Sequence, residues 1–151
     1  MTYRTLLILA AAGLITTPAL AQQSRTTEFD NARFEGTRTV ERADGTLTRD
    51  TDVTRKSDGA TASSDFTRQR SEDGVSRDRI ATDFQGRTAT STYDRERTPN
   101  GWSAEGQRVQ RDGDVIDYTS RGVRGPNRVA VRQTRSVNGE PTGVRRSVRR
   151  R

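Results

Sequence analysis

Residues 66–75 read FTRQRSEDGV, and this stretch shows the unit from which the chain is built. Phe66, Arg68 and Arg70 alternate with polar residues, and the run then ends in Asp73-Gly74. Alternation with period two is typical of a β-strand. Asp-Gly is among the strongest hairpin signals, because a type I′ turn needs positive φ at both central residues. The stretch therefore predicts a strand followed by a tight turn.

The same turn signal recurs along the chain at intervals of 12 to 15 residues. Strand-length segments between evenly spaced turns are typical of a repeat array of hairpins. The turn signals are Asp44-Gly45, Asp58-Gly59, Asp73-Gly74, Gln85-Gly86, Asn100-Gly101, Asp112-Gly113, Gly125-Pro126-Asn127 and Asn138-Gly139.

The segments between the turns are rich in Thr and in β-branched or aromatic residues, which favour strands. In one of them Leu47, Arg49 and Val53 share a face, and Asp50 and Asp52 share the other. No stretch after residue 21 has an apolar stripe at helical spacing. We therefore predict an all-β fold, an extended antiparallel β-meander of polar strands joined by Asp/Asn-Gly turns, which follows an N-terminal signal helix.

Such strands offer little apolar surface for a core. Stability would then depend on backbone ladders, Thr–Thr pairs and Arg–carboxylate pairs between neighbouring strands, each contributing roughly 0.2–1 kcal/mol. A chain with so few apolar residues and so many charges also fits the composition of disordered proteins. The alternative to the ordered array is a largely disordered mature chain.

Residues 1–21 have the pattern of a secretory signal peptide. Arg4 precedes an apolar run at residues 6–15, and Ala19-Leu20-Ala21 fits the small-residue pattern of a cleavage site. Ten apolar residues are too few to span roughly 30 Å of hydrocarbon. We expect cleavage after Ala21, no transmembrane span after that cleavage, and a periplasmic or secreted protein. The alternatives are an uncleaved anchor and a buried N-terminal helix.

The remaining chain divides into three predicted segments. Residues 22–32 are expected to be flexible, residues 33–139 to form the polar β-repeat region, and residues 140–151 to be a basic disordered tail. The sequence leaves the oligomeric state open.

The composition excludes many kinds of catalytic site. The chain has no His and no Cys, so it has no imidazole base, no thiolate nucleophile, no disulfide and no Cys/His metal site. The low apolar content also disfavours a deep, dry pocket. We expect a non-enzymatic protein without a cofactor or metal.

Paired carboxylates leave one remote enzymatic alternative. Asp50 with Asp52, and Asp112 with Asp114, have the residue types that glycoside hydrolysis and Ca²⁺ binding use. They alternate with Arg and Thr or lie in turns, which favours solvated surface acids. A carboxylate-based hydrolase therefore remains a distant alternative.

The excess positive charge lies at the C-terminal end. Residues 121–151 contain ten Arg and one acidic residue, whereas residues 22–120 carry a net charge of −3. A basic segment of this kind attracts polyanions by counterion release. Alternatively, the tail folds back onto the acidic array. The candidate polyanion-binding residues are Arg128, Arg132, Arg135, Arg145, Arg146, Arg149, Arg150 and Arg151.

These features together predict a secreted or periplasmic β-repeat protein with a structural or interaction role at the bacterial cell envelope. Its anionic partner would be lipopolysaccharide, acidic polysaccharide, anionic lipid or extracellular DNA. The alternative function is that of an intrinsically disordered secreted polyampholyte, a matrix or protective component.

Overall fold

The computed structural model describes residues 22–150, which form ten antiparallel strands in one open sheet. The strands lie side by side in the order in which they occur in the sequence. Each pairs with its sequence neighbours, and the register is continuous except for a bulge between Pro141 and Gly143 in β10. The strands are β1 (Gln23–Asp30), β2 (Phe34–Ala43), β3 (Thr46–Arg55), β4 (Thr61–Arg70), β5 (Gly74–Thr82), β6 (Thr88–Thr98), β7 (Gly101–Val109), β8 (Val115–Arg124), β9 (Arg128–Val137) and β10 (Glu140–Arg150).

The all-β, repeat-like meander predicted from the sequence is confirmed, and residues 22–150 contain no helix. The structure thus corresponds to the ordered alternative. The predicted signal helix at residues 1–21 lies outside the described residues.

Two of the turns have the geometry that the sequence predicts most strongly. Asp44 and Gly45 both have positive φ, as do Asn138 and Gly139. Each pair joins its strands as a two-residue turn, since the residues on either side are paired. The hairpin between β6 and β7 also has a two-residue turn, since Thr98 is paired with Gly101. The remaining hairpins are longer, and Gly74 is already part of β5. The turn signals therefore locate the hairpins but do not give their lengths.

Both ends of the chain differ from the expected disorder. Most of residues 22–32 belongs to β1, and Glu140–Arg150 is β10. Backbone pairing explains the difference, because the tight turn at Asn138-Gly139 returns the chain alongside β9 although every side chain of β10 is exposed. Composition argues against a packed tail, but a ladder of backbone hydrogen bonds does not need apolar side chains.

The sheet is a single layer, and within the described residues each strand is paired only with its sequence neighbours. Burial is correspondingly shallow. Leu47 and Ala104, each 7% exposed, are the apolar residues that count as buried. Both side-chain faces of the sheet are therefore surface.

The cross-strand pairs differ from the expectation in one respect. Thr–Thr pairs are present: Thr26 and Thr39 have hydroxyl oxygens 3.0 Å apart, and Thr119 and Thr134 have theirs 2.6 Å apart. The expected Arg–carboxylate pairs between neighbouring strands are absent from the described residues, whose ion pairs all involve turns. In β1–β7 the register explains this, because it places the arginines and the carboxylates of these strands on opposite faces.

Candidate anion-binding face

One face of the sheet, called here the arginine face, carries every arginine of β1–β7. Residues paired directly across antiparallel strands point to the same side. The register from Arg42–Leu47 through Leu47–Arg68 to Arg68–Arg77 therefore keeps these side chains together. The twelve arginines are Arg25, Arg38, Arg42, Arg49, Arg55, Arg68, Arg70, Arg77, Arg79, Arg95, Arg97 and Arg108.

The opposite side, called the carboxylate face, carries every acidic residue of β1–β7. It has no arginine in these seven strands, and the arginine face has no acid in them. The separation of charge is thus complete across β1–β7. The eleven acids are Glu28, Asp30, Glu35, Glu41, Asp50, Asp52, Asp65, Asp78, Asp94, Glu96 and Glu105.

The separation ends at β8. In β8–β10, four arginines lie on the arginine face and five lie on the carboxylate face. The first group is Arg124, Arg135, Arg145 and Arg149, and the second is Arg121, Arg128, Arg132, Arg146 and Arg150.

Aromatic side chains share the arginine face, and several are covered by a guanidinium group. The Arg49 guanidinium carbon lies 5.6 Å from the Phe66 ring centroid, and that of Arg95 lies 4.6 Å from Trp102. Arg77 lies 5.3 Å from Tyr93 in the same way. These cation–π contacts neutralise no charge, so the face remains positive while the arginines are held in place.

Two glycines give the largest rings room to lie against the sheet. Gly122 is paired with Trp102, and Gly106 with Tyr118. A Cβ atom at either glycine would overlap the facing ring. Tyr118 also donates a hydrogen bond to the Thr92 carbonyl, at 3.0 Å. The face is therefore flatter at β6–β8 than its residue sizes suggest.

The carboxylates that pair with a cation lie along one end of the sheet, where five turns form the ion-paired turn edge. Lys56 joins the first two turns by binding Asp30 and Glu35, and its hydrogen bond to Asp30 raises the pKa of Lys56. Arg55 donates a hydrogen bond to Asp58, which lowers the pKa of that carboxyl. The turns lie at residues 31–33, 56–60, 83–87, 110–114 and 138–139.

Asp83 is the centre of this edge. Its side chain is 11% exposed and binds Arg87 at 2.9 Å and Arg111 at 3.4 Å. Burial works to raise the pKa of Asp83, but hydrogen bonds from Arg87 and from the Gln85 backbone outweigh it and leave the pKa below its ordinary value. Of the twelve arginines defined above, only Arg55 has a carboxylate partner among the described residues.

Arg49, Arg68 and Arg77 lie near the centre of the arginine face and form no ion pair with the described residues. Arg49 and Arg68 are half-buried, and their Nε–H donors are buried without an acceptor among the described residues. Arg68 is also paired directly with Arg77. Like charges opposite one another destabilise a sheet, and an unsatisfied buried donor costs roughly 1–3 kcal/mol. An anion bound at the guanidinium groups of Arg68 and Arg77 would relieve the repulsion between them.

The structure divides the polyanion-binding residues predicted from the sequence between the two faces. Arg135, Arg145 and Arg149 extend the arginine face towards the β10 edge. The remaining described candidates, Arg128, Arg132, Arg146 and Arg150, lie on the carboxylate face. Arg151 lies outside the described residues.

Sequence reasoning missed the arginines of β1–β7 as a group. Their signal was present in each strand, since arginine is separated from acids by an odd number of positions and from most apolar residues by an even number. The net charge of these strands did not reveal the pattern, because their acidic residues cancel their arginines when the charges are summed.

The two carboxylate pairs of the sequence lie in different parts of the structure. Asp50 and Asp52 point to the carboxylate face, and Asp114 accepts a hydrogen bond from the Asn138 amide at 2.9 Å. Residues 22–150 contain no group of three or more acidic residues placed to hold a metal ion.

The part of the chain that the structure describes has no helix long and apolar enough to cross a membrane. Comparison with protein-family models, curated proteins and solved structures gave no match.

Proposed function

We propose that the protein is a secreted or periplasmic, non-enzymatic component of the bacterial cell envelope that binds an anionic polymer on its arginine face. The observation that carries the proposal is the complete separation of charge in β1–β7, where twelve arginines share one face with no acid.

Charges on a common face reinforce one another, whereas charges of opposite sign cancel when they alternate. The net charge of −3 in residues 22–120 therefore conceals a surface with a strong positive potential. A flexible polyanion that lies along this face contacts many arginines at once and releases its counterions. The unpaired guanidinium groups of Arg49, Arg68 and Arg77 favour such a partner.

The predicted leader determines which polymers are candidates. Outside the cytoplasm the anionic partners are lipopolysaccharide phosphates, acidic polysaccharide, anionic lipid and extracellular DNA. The absence of His and Cys from the sequence supports binding over catalysis.

A matched pair of double variants tests the proposal. Arg68 faces Arg77 on the arginine face, and Arg121 faces Arg132 on the carboxylate face. Both pairs are direct cross-strand neighbours of like charge, so Arg68→Gln/Arg77→Gln and Arg121→Gln/Arg132→Gln remove the same charge from opposite sides.

Binding of residues 22–151 to dextran sulfate is measured by calorimetry at several salt concentrations. With about 1 kcal/mol for each arginine near an anionic surface, the first variant loses about thirtyfold in affinity and has a shallower salt dependence. The second loses less than about threefold. Equal losses in the two variants would show that net charge, and not the face, decides binding.

The proposed location has its own test. The full chain is expressed in a Gram-negative bacterium, and the mature protein is isolated by fractionation. N-terminal sequencing is expected to begin at Gln22 in the periplasmic or extracellular fraction. A protein that keeps Met1 and stays in the cytoplasm would contradict it.

A further inference from the structure

The register aligns four arginines of the arginine face in a single row across the sheet, on every second strand. They are Arg25 in β1, Arg49 in β3, Arg79 in β5 and Arg108 in β7. Neighbouring strands lie about 4.8 Å apart, so consecutive arginines of the row stand about 9.6 Å apart. We call this the alternating row.

The positions between the arginines belong to uncharged side chains. Val40 lies between Arg25 and Arg49, and Phe66 lies between Arg49 and Arg79. Ser91 separates Arg79 from Arg108. Charged and uncharged positions therefore alternate along the row.

The surface is hollowed at two of these uncharged positions. One hollow, of about 420 Å³, is lined by Arg79, Ser91 and Arg108. Another, of about 770 Å³, is lined by Arg25 and Val40. Arginines and uncharged side chains line both hollows together, and Asp112 also lines the first. A ligand that has neutral as well as anionic groups suits such a lining.

We propose that the alternating row binds an extended linear polysaccharide that carries one acidic group on every second sugar. This inference rests on the proposed function and names the class of polymer. A sugar of an extended chain advances by about one strand spacing. Acidic groups on alternate sugars then meet the arginines, and the neutral sugars lie on Val40, Phe66 and Ser91.

Other polyanions fit the row less well. A nucleic acid strand carries a phosphate on every nucleotide, with no neutral unit between the charged ones, so some of its charges would fall on the uncharged positions. Neighbouring strands also rotate by about 20–25°, so the row follows a twisted path. A jointed linear chain can follow such a path, whereas a flat rigid ligand cannot.

The test moves one charge by one strand without changing the composition of the face. Arg79→Ser/Ser91→Arg keeps the number of arginines in the row and destroys their alternation, since Arg79 and Ser91 are directly paired. The matched control, Ser103→Arg/Arg121→Ser, makes the same one-strand exchange of Arg and Ser on the carboxylate face, since Ser103 and Arg121 are directly paired. Circular dichroism and Tm establish that each variant is folded.

The polymers are hyaluronan, which has a carboxylate on every second sugar, and polygalacturonate, which has one on every sugar. We expect the row variant to lose about tenfold in affinity for hyaluronan and less than about threefold for polygalacturonate, since charge spacing matters only to the first. The control variant changes neither by more than about threefold.

Equal effects of the row variant on both polymers would overturn the alternating row and leave the proposed function intact. The same holds if an oligo-dT strand responds to the row variant and hyaluronan does not, because the row would then bind nucleic acid. Polymer binding that is unchanged in both Arg68→Gln/Arg77→Gln and Arg121→Gln/Arg132→Gln would instead overturn the proposed function itself.

If the row variant does not fold, count-matched substitutions replace it. Arg79→Gln/Arg108→Gln removes two exposed arginines of the row, and Arg70→Gln/Arg97→Gln removes two exposed arginines beside it. The first is expected to weaken hyaluronan binding at least about fivefold more than the second. Equal losses would contradict the inference.

Discussion

Arginines are distributed between the two faces differently in β1–β7 and in β8–β10, although these strands belong to one sheet. In the first region every arginine lies on one face and every acid on the other. In the second, arginines such as Arg132 and Arg135 lie on opposite faces. The region with the lower net charge thus has the more strongly polarised surface. The positions of the charges along each strand, and not their sum, decide how far the two faces differ in charge.

The largest effect is expected from exchanging two neighbours in β5. Asp78→Arg/Arg79→Asp leaves composition and net charge unchanged but places an acid on the arginine face. The face loses one positive charge and gains a negative one. With about 1 kcal/mol per charge, affinity for dextran sulfate falls about thirtyfold. Calorimetry measures the change, and an unaltered affinity would show that the separation in β1–β7 has no role in binding.

A smaller effect of opposite sign is expected from the second region. Ser120→Arg/Arg121→Ser moves an arginine of β8 from the carboxylate face to the arginine face. Net charge again stays constant. Affinity for dextran sulfate rises about fivefold, since one charge joins the binding surface. A fall in affinity in the same assay would mean that β8–β10 binds through the other face.

The smallest effect concerns Asp83, in the turn between β5 and β6. Asp83 binds Arg111, which lies in the turn between β7 and β8 that links the two regions. The pKa of Asp83 is lowered in the folded chain from its ordinary 3.8. Its charged form therefore stabilises the fold above that value, and the contribution is lost as pH falls through the folded-state pKa.

We therefore expect Asp83→Asn to lower Tm at pH 7, with a difference from the unmodified chain that shrinks below pH 3.8. Glu72→Gln is the control, because Glu72 forms no hydrogen bond or ion pair with the described residues. Thermal unfolding followed by circular dichroism measures both. A difference independent of pH would indicate that the Asp83 charge is not involved.

Local patterns were sufficient to predict the type of fold. The alternation around Phe66 and Arg68 and the turn at Asn138-Gly139 each depend on neighbours in sequence, and both appear in the structure. The segregation within one strand, as for Leu47 and Asp50, was also visible.

The alignment of residues between strands could not be predicted in the same way. Whether Arg49 and Arg79 fall into one row depends on the lengths of the turns between them, and a shift of one residue would send a strand's side chains to the other face. Turns of two, three and five residues occur along this chain with no clear signal for their length. Net charge therefore predicted polyanion binding only within residues 121–151.

The most direct test of the arginine face is nuclear magnetic resonance of the arginine Nε–H groups during titration with dextran sulfate. The account predicts shifts at arginines of β1–β7, such as Arg49, Arg79 and Arg108, and none at Arg132 and Arg146 on the carboxylate face. Shifts confined to β10, or equal on the two faces, would contradict it.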